Sequence, residues 1–164
     1  MADDALIRDV RPEDVETLAE MAVAAWEPIY ANRRRMLGDE LFEALHSDWR
    51  RRKAQQARSA CAAGSRTRVC VAECGGRPVG FITFSADEAS RVGHIENTAV
   101  HPAFQGRGLG TRMVRHACER LKEQGMRFAM VGTGGDEAHA PARRSYEKAG
   151  FDIRLPIVHY YREL

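Results

Sequence analysis

The segment with the clearest chemical potential is Gln105-Gly106-Arg107-Gly108-Leu109-Gly110, which follows a strand-like run and opens a helical one. Glycines at such a junction let the main chain approach a ligand closely and leave several N–H groups free to point at it. The positive end of the following helix adds attraction for an anion, so the loop suits a phosphate or pyrophosphate. Its spacing narrows the choice. A Walker loop needs G-x-x-x-x-G-K-[ST], which occurs nowhere in the chain. The dinucleotide fingerprint needs G-x-G-x-x-G early in a βαβ unit, whereas here the pattern is G-x-G-x-G and comes after three strand-like runs. A nucleotide-dependent oxidoreductase is therefore disfavoured. By itself the loop also fits a glycine-rich turn with no ligand.

The elements that must hold this loop can be read from periodicity. Leu6-Ile7-Arg8 forms a first strand stopped by Pro12, and Asp14 to Trp26 carries a helical stripe that Pro28 is expected to end. Asp39 opens a second helical region in which Leu41, Phe42, Leu45 and Trp49 share a face. Its remainder is basic (Arg50, Arg51, Arg52, Lys53, Arg58), either a solvated face or an attraction for an anionic ligand. Thr67–Glu73 and Val79–Ser85 flank a Gly75-Gly76 turn and read as a hairpin. Val92–His101 is a further strand, on which alternation puts His94, Glu96 and Thr98 on one face. A helix follows over Leu109–Lys122, then a short buried strand at Phe128–Val131 and a last helix from Pro141 to Gly150. Phe151–Leu155 and Ile157–Tyr161 close the chain as strands. Hairpins segregated from helices indicate an α+β or mixed α/β domain.

Composition sets the outer bounds. A chain of 164 residues fits one domain, here residues 1–164, and buries about two-thirds of its unfolded surface without disulfide or metal staples. A net charge of +2 gives no reason to expect nucleic acid as a partner. The longest apolar runs, such as Met21–Trp26, are far too short to cross a bilayer, and Met1-Ala2-Asp3-Asp4 is acidic where a secretory signal is basic. Cys61, Cys70, Cys74 and Cys118 form no C-x-x-C pair, and Cys70 and Cys74 would lie roughly 13 Å apart on one strand face. No metal site and a reduced, cytoplasmic setting are the expectations.

The run His94-Ile95-Glu96-Asn97-Thr98-Ala99-Val100-His101-Pro102-Ala103-Phe104-Gln105-Gly106-Arg107-Gly108-Leu109-Gly110 resembles the central motif of the GNAT superfamily of N-acetyltransferases. That motif is a strand ending in Val-x-Pro, then Q/R-x-x-G-x-G/A at a helix start. Some 30 residues on, Ala142-Arg143-Arg144-Ser145-Tyr146-Glu147-Lys148-Ala149-Gly150-Phe151 is similar to the second motif, A-x-x-x-Y-x-x-x-G-F. The resemblance spans about residues 67–155. It implies a central, mixed, mostly antiparallel sheet of about six to seven strands flanked by about four helices, with a bulged, splayed strand pair forming a cleft.

The implied ligand is acetyl-CoA. By this resemblance the N–H groups of Gln105, Gly106, Arg107, Gly108, Leu109, Gly110 and Thr111 hold its pyrophosphate, with a side chain at Gly108 or Gly110 colliding with the phosphates. The main chain of Thr98, Ala99 and Val100 pairs with the pantetheine arm like an added strand. His139 and Ala142 belong to the same coenzyme set, although His139 stands where the second motif usually has Asn and also fits a capping or surface histidine. Acetyl transfer needs a neutral amine, a stabilised oxyanion and a proton for the departing thiolate. Tyr146 is the implied acid, the N–H near Val100 the oxyanion donor, and Glu96 or His94 the base, unless positioning alone suffices. Trp26, Glu27 and Tyr30, with Trp49 nearby, could hold a cationic amine, while the tryptophans equally serve as helix anchors. The acceptor is a small-molecule or peptide amine, and the chain acts alone or as a homodimer. The competing class is a catalytically silent coenzyme-binding sensor.

Overall fold

The structure is a computed structural model describing residues 5–164, so the acidic Met1–Asp4 start lies outside the described residues. Five strands, β1 (Leu6–Asp9), β2 (Arg68–Cys74), β3 (Arg77–Asp87), β4 (Val92–Val100) and β5 (Phe128–Val131), form one sheet in sequence order. Every neighbouring pair is antiparallel except β4 and β5, which run parallel. Helices α1 (Val15–Leu37) and α3 (Trp49–Ala60) cover one face, with the short α2 (Asp39–His46) between them in the chain. Helices α4 (Leu109–Glu123) and α5 (Ala140–Lys148) cover the other. Each face has its own apolar layer. Leu18, Ala22, Val71, Phe81 and Ala99 fill the α1/α3 side, and Ile82, Phe84, Ile95, Met113 and Leu121 fill the α4 side. Among the described residues no helix is long and apolar enough to cross a membrane.

Four expectations need correction. Helix α1 runs through Pro28 to Leu37. Proline removes one N–H and crowds the carbonyl four residues back, but Pro28 and Ala24 are both exposed, so water can satisfy what is lost. The second half is held by Tyr30, which stacks on Trp49 at 4.2 Å and meets Phe42 edge-on. The second helical region is two helices, broken at Ser47 and Asp48, where the Asp48 carboxylate accepts from Arg51 and Arg52 one turn on. The break leaves Phe42 and Trp49 buried and turns Leu45 outward.

The strand Phe128–Val131 exists but is not buried: Phe128 and Met130 are 60% and 54% exposed. It is the last strand of the sheet, and only its Ala129/Val131 face meets the α4 layer. Finally, the sheet has five strands and not six or seven, because Phe151–Leu155 and Ile157–Tyr161 pair with nothing among the described residues. Alternation of Ile153, Leu155 and Ile157 says which side chains would share a strand face, not that a partner strand is present.

The sheet edge at β1 is tied down by charge. Asp14, 4% exposed, accepts from both Arg8 guanidinium nitrogens at 2.7 and 3.0 Å and from the Arg11 N–H at 2.8 Å. Arg8 also donates to Glu73 on β2 at 2.7 Å. The Arg8 hydrogen bond outweighs burial and holds the Asp14 carboxyl below the usual carboxylate range. A depressed folded pKa stabilises the fold above the unfolded value and loses that contribution as pH falls. Asp14→Asn should therefore lower unfolding stability at pH 7 by about 3–5 kcal/mol in a denaturant titration. The difference from the parent chain should shrink as pH falls below about 4, where Asp14 protonates in the unfolded state.

Candidate functional site

The site is organised by an irregularity in β4. Thr83 pairs with Asn97 and Phe84 with Ile95, so Glu96 is the extra residue of a β-bulge. The Thr83 hydroxyl holds the bulge by accepting from the Asn97 N–H at 3.1 Å and from its side-chain amide at 3.3 Å. This overturns the expected shared face. His94 pairs with Ser85, and Glu96 accepts from the Ser85 hydroxyl at 2.9 Å, which puts both on the α1/α3 side. Thr98 pairs with Ile82 and turns to the α4/α5 side, because the bulge shifts the alternation by one residue.

Pairing between β4 and β5 stops at Ile95 and Val131. From Glu96 to Val100, β4 has β3 on one side and no strand on the other. The His101 N–H donates to Val79 O on β3, so alternation turns the Val100 N–H and C=O to the open side. There the Val100 carbonyl accepts from the Gln105 side chain at 2.9 Å, which pins the glycine loop to the strand end. Gly106 and Gly108 have φ of +74° and +78°, a left-handed backbone that other residues adopt only under strain. Gly108 is the N-cap of α4, so the N–H groups of Leu109, Gly110 and Thr111 have no acceptor within the helix. Leu109 and Thr111 are buried and anchor that turn, while Gly106, Arg107 and Gly108 are exposed. A Cβ on Gly110 would lie 3.4 Å from Ser145 Oγ, so this glycine serves the packing of α4 on α5, and open space surrounds the Cβ direction of Gly108.

Tyr146 lies on α5 against the α4-side core, seven residues after His139 and four after Ala142, so the three share one helix face. Burial pushes the phenol above its ordinary value, with Thr98 acting weakly the other way. The Thr98 hydroxyl lies near that phenol without reaching hydrogen-bond geometry, and its buried oxygen has no partner. An orphaned hydroxyl beside an unpaired strand edge suits a ligand with amide or thioester groups.

His139 is neither a surface residue nor free. Its Nδ1 is 2.6 Å from Asp136 Oδ2, and Asn32 of α1 donates to Asp136 Oδ1 at 3.0 Å. Burial opposes the Asp136 charge, but the bond to His139, its charge and the Ala138 N–H together outweigh it, leaving the carboxyl below its usual range. Gly134 makes room for the pair, since a Cβ there would fall 2.4 Å from His139 Nδ1. The Asn that usually stands in the second motif is thus replaced by a ring that braces the loop after β5 against α1.

The residues expected to hold a cationic amine are already engaged. The Lys53 ammonium sits 4.0 Å from the Trp26 ring centroid, Arg50 donates to Glu27, and Tyr30 stacks on Trp49 with the Arg33 guanidinium 5.3 Å from its ring. Sequence reasoning missed Asn97, Thr83, Asp136 and the inward turn of Lys53. Only Lys53 left a readable signal, standing at helical spacing between Trp49 and Ala57, both buried. Among the described residues no cluster of His, Cys, Asp or Glu could hold a metal, and the four cysteines form no disulfide.

The chain is similar to other proteins in sequence and in fold. An uncharacterised N-acetyltransferase from Archaeoglobus fulgidus is 36% identical over 93 residues, 54% of this chain and 60% of that one. Another, from Methanocaldococcus jannaschii, is 32% identical over 97 residues, covering 56% of this chain and 42% of its own. The chain thus spans about half the length of these relatives. The crystal structure of the PaiA N-acetyltransferase from Thermoplasma acidophilum in complex with coenzyme A shares the fold. Its TM-score is 0.72 at 19% identity, over 92% of this chain and 91% of that one. The family model of the acetyltransferase (GNAT) family matches residues 27–151, and the chain belongs to that family.

Proposed function

We propose that the chain is an acetyl-CoA-dependent N-acetyltransferase that moves the acetyl group to a primary amine by direct attack within a ternary complex. The observation that carries this reading is the unpaired edge of β4 from Glu96 to Val100, with the orphaned Thr98 hydroxyl at its middle and the glycine loop beyond its Val100 end. Coenzyme A in the Thermoplasma acidophilum relative, together with the family membership, supports the choice of ligand.

Acetyl-CoA supplies the activated acyl group. The first-turn N–H groups of α4 suit its pyrophosphate, and the open main chain of Thr98 to Val100 suits an amide-bearing arm laid beside it. As the amine nitrogen bonds to the acyl carbon, the Val100 N–H is available for the charge that gathers on oxygen. As the carbon–sulfur bond breaks, the Tyr146 phenol gives its proton to the thiolate. Burial keeps that phenol protonated at neutral pH. A primary amine with a pKa near ~10 must lose a proton before it attacks. Glu96, fixed by Ser85 on the acceptor side of the bulge, takes that proton through water, and His94 is the alternative acceptor on the same face.

Acceptors and single-residue variants test this separately. A panel of amines mixed with acetyl-CoA should release free thiol in an acceptor-dependent way, and coenzyme binding without such release would leave the silent-sensor reading instead. Gly108→Val should abolish acetyl-CoA binding in calorimetry while circular dichroism stays native, because valine strains the left-handed N-cap of an exposed loop. Tyr146→Phe should lower kcat by roughly 10²–10⁴-fold with little change in coenzyme affinity. A loss of affinity without loss of turnover would make Tyr146 a packing residue. Glu96→Gln should depress kcat/KM most at low pH, the gap closing as the amine loses its proton unaided. If His94 is the direct base, His94→Ala removes the acidic limb of the profile instead.

A further inference from the structure

The basic run of α3 is not uniform. Arg50 pairs with Glu27, Arg51 and Arg52 with Asp48, and Arg58 with Glu16, all at the surface. Lys53 differs. It stands four residues after Trp49 and four before Ala57, both buried, so the helical period turns it toward the sheet. Its ammonium meets the Trp26 ring at 4.0 Å, Gln56 Oε1 at 3.1 Å and Asn97 Oδ1 at 3.3 Å. These are uncharged partners, and they account for two of its three N–H donors. The charged group acting on it from α1 is Arg33, of like sign. Burial, with Arg33 adding to it, lowers the Lys53 pKa to about 8. An ammonium withdrawn from water without a counter-ion is unfavourable, and a bound anion relieves it.

The location says which ligand would carry that anion. Asn97 directly precedes Thr98 on the unpaired stretch of β4, and the two side chains leave the strand on opposite faces. The ammonium therefore lies across the strand from the Tyr146 phenol, on the face that carries Glu96 and His94. The anion-binding loop of the coenzyme site is at the N-terminus of α4, which packs on the other face. Glu27, the carboxylate expected to hold a cationic acceptor, is taken by Arg50. Resting on the acetyltransferase reading, we infer that the amine acceptor also carries a carboxylate, and that Lys53, braced by Asn97 and Trp26, is the residue that holds it.

The test compares acceptors that differ only in this group, namely amino acids and their carboxamides, with a polyamine as a cationic control. The parent chain should favour the free acids in kcat/KM by tenfold or more. Lys53→Met and Lys53→Gln should each reduce that ratio at least tenfold, mainly through KM. An unchanged ratio, an equal loss for acid and amide, or a parent chain that prefers carboxamides or the polyamine would overturn the inference while leaving acetyl transfer intact. A parent chain that binds acetyl-CoA by calorimetry yet acetylates none of these or any other amine would overturn the acetyltransferase reading, and the inference with it.

Discussion

Main-chain N–H and C=O groups inside a fold have to be paired, and β4 cannot pair all of its own. Its parallel partner β5 ends at Val131, opposite Ile95, while β4 continues for another five residues along β3. That mismatch in length sets what the rest of the site can be. The stretch from Glu96 to Val100 has a strand on one side only, and the Gln105 side chain satisfies the last carbonyl on the other. The bulge at Glu96 then assigns the two faces of the stretch to different work. Thr98 faces the phenol of α5, while Glu96, Asn97 and His94 face α1 and α3. Under the proposed function, coenzyme and acceptor would meet this single strand from opposite sides.

Charge follows the same division. The α4 side offers uncharged donors, the first-turn N–H groups of α4, whose left-handed N-cap at Gly108 keeps the loop in a shape few other residues tolerate. The α1/α3 side offers a lysine withdrawn from water and, among the described residues, lacking a carboxylate partner. Between them, the Asp136–His139 pair ties the loop after β5 to Asn32 of α1, so the gap beyond Val131 is braced on its far side. An aromatic layer of Tyr30, Trp49 and Phe42 holds the second half of α1 in place despite Pro28.

Most of the fold was legible in the sequence because its signals are local. The Gly75-Gly76 hairpin, the strand Val92–Val100, the helix from Leu109 and the helix ending near Gly150 are set by periodicity and turn residues. The misreadings arise where a distant partner decides. Pro28 stays helical because Tyr30 has Trp49 to stack on, and the last two apolar runs pair with no strand among the described residues. Loop, strand and tyrosine are readable from two motifs as a candidate site. The bulge was not readable by counting alternate residues, since it depends on Thr83, a residue of the neighbouring strand. For that reason His94 and Glu96 were grouped with Thr98, which turns the other way. Lys53 was visible as one of five basic residues, and only the contact with Asn97 distinguishes it.

The central claim is that the open edge of β4 and the first turn of α4 together bind acetyl-CoA. Amide hydrogen exchange of the folded chain, followed residue by residue with and without acetyl-CoA, tests it most directly. The account requires slower exchange on ligand addition at the N–H groups of Thr98 and Val100 and of Gly108 through Thr111. Saturating acetyl-CoA that binds by calorimetry but leaves those amides unchanged, with protection appearing elsewhere, would contradict it.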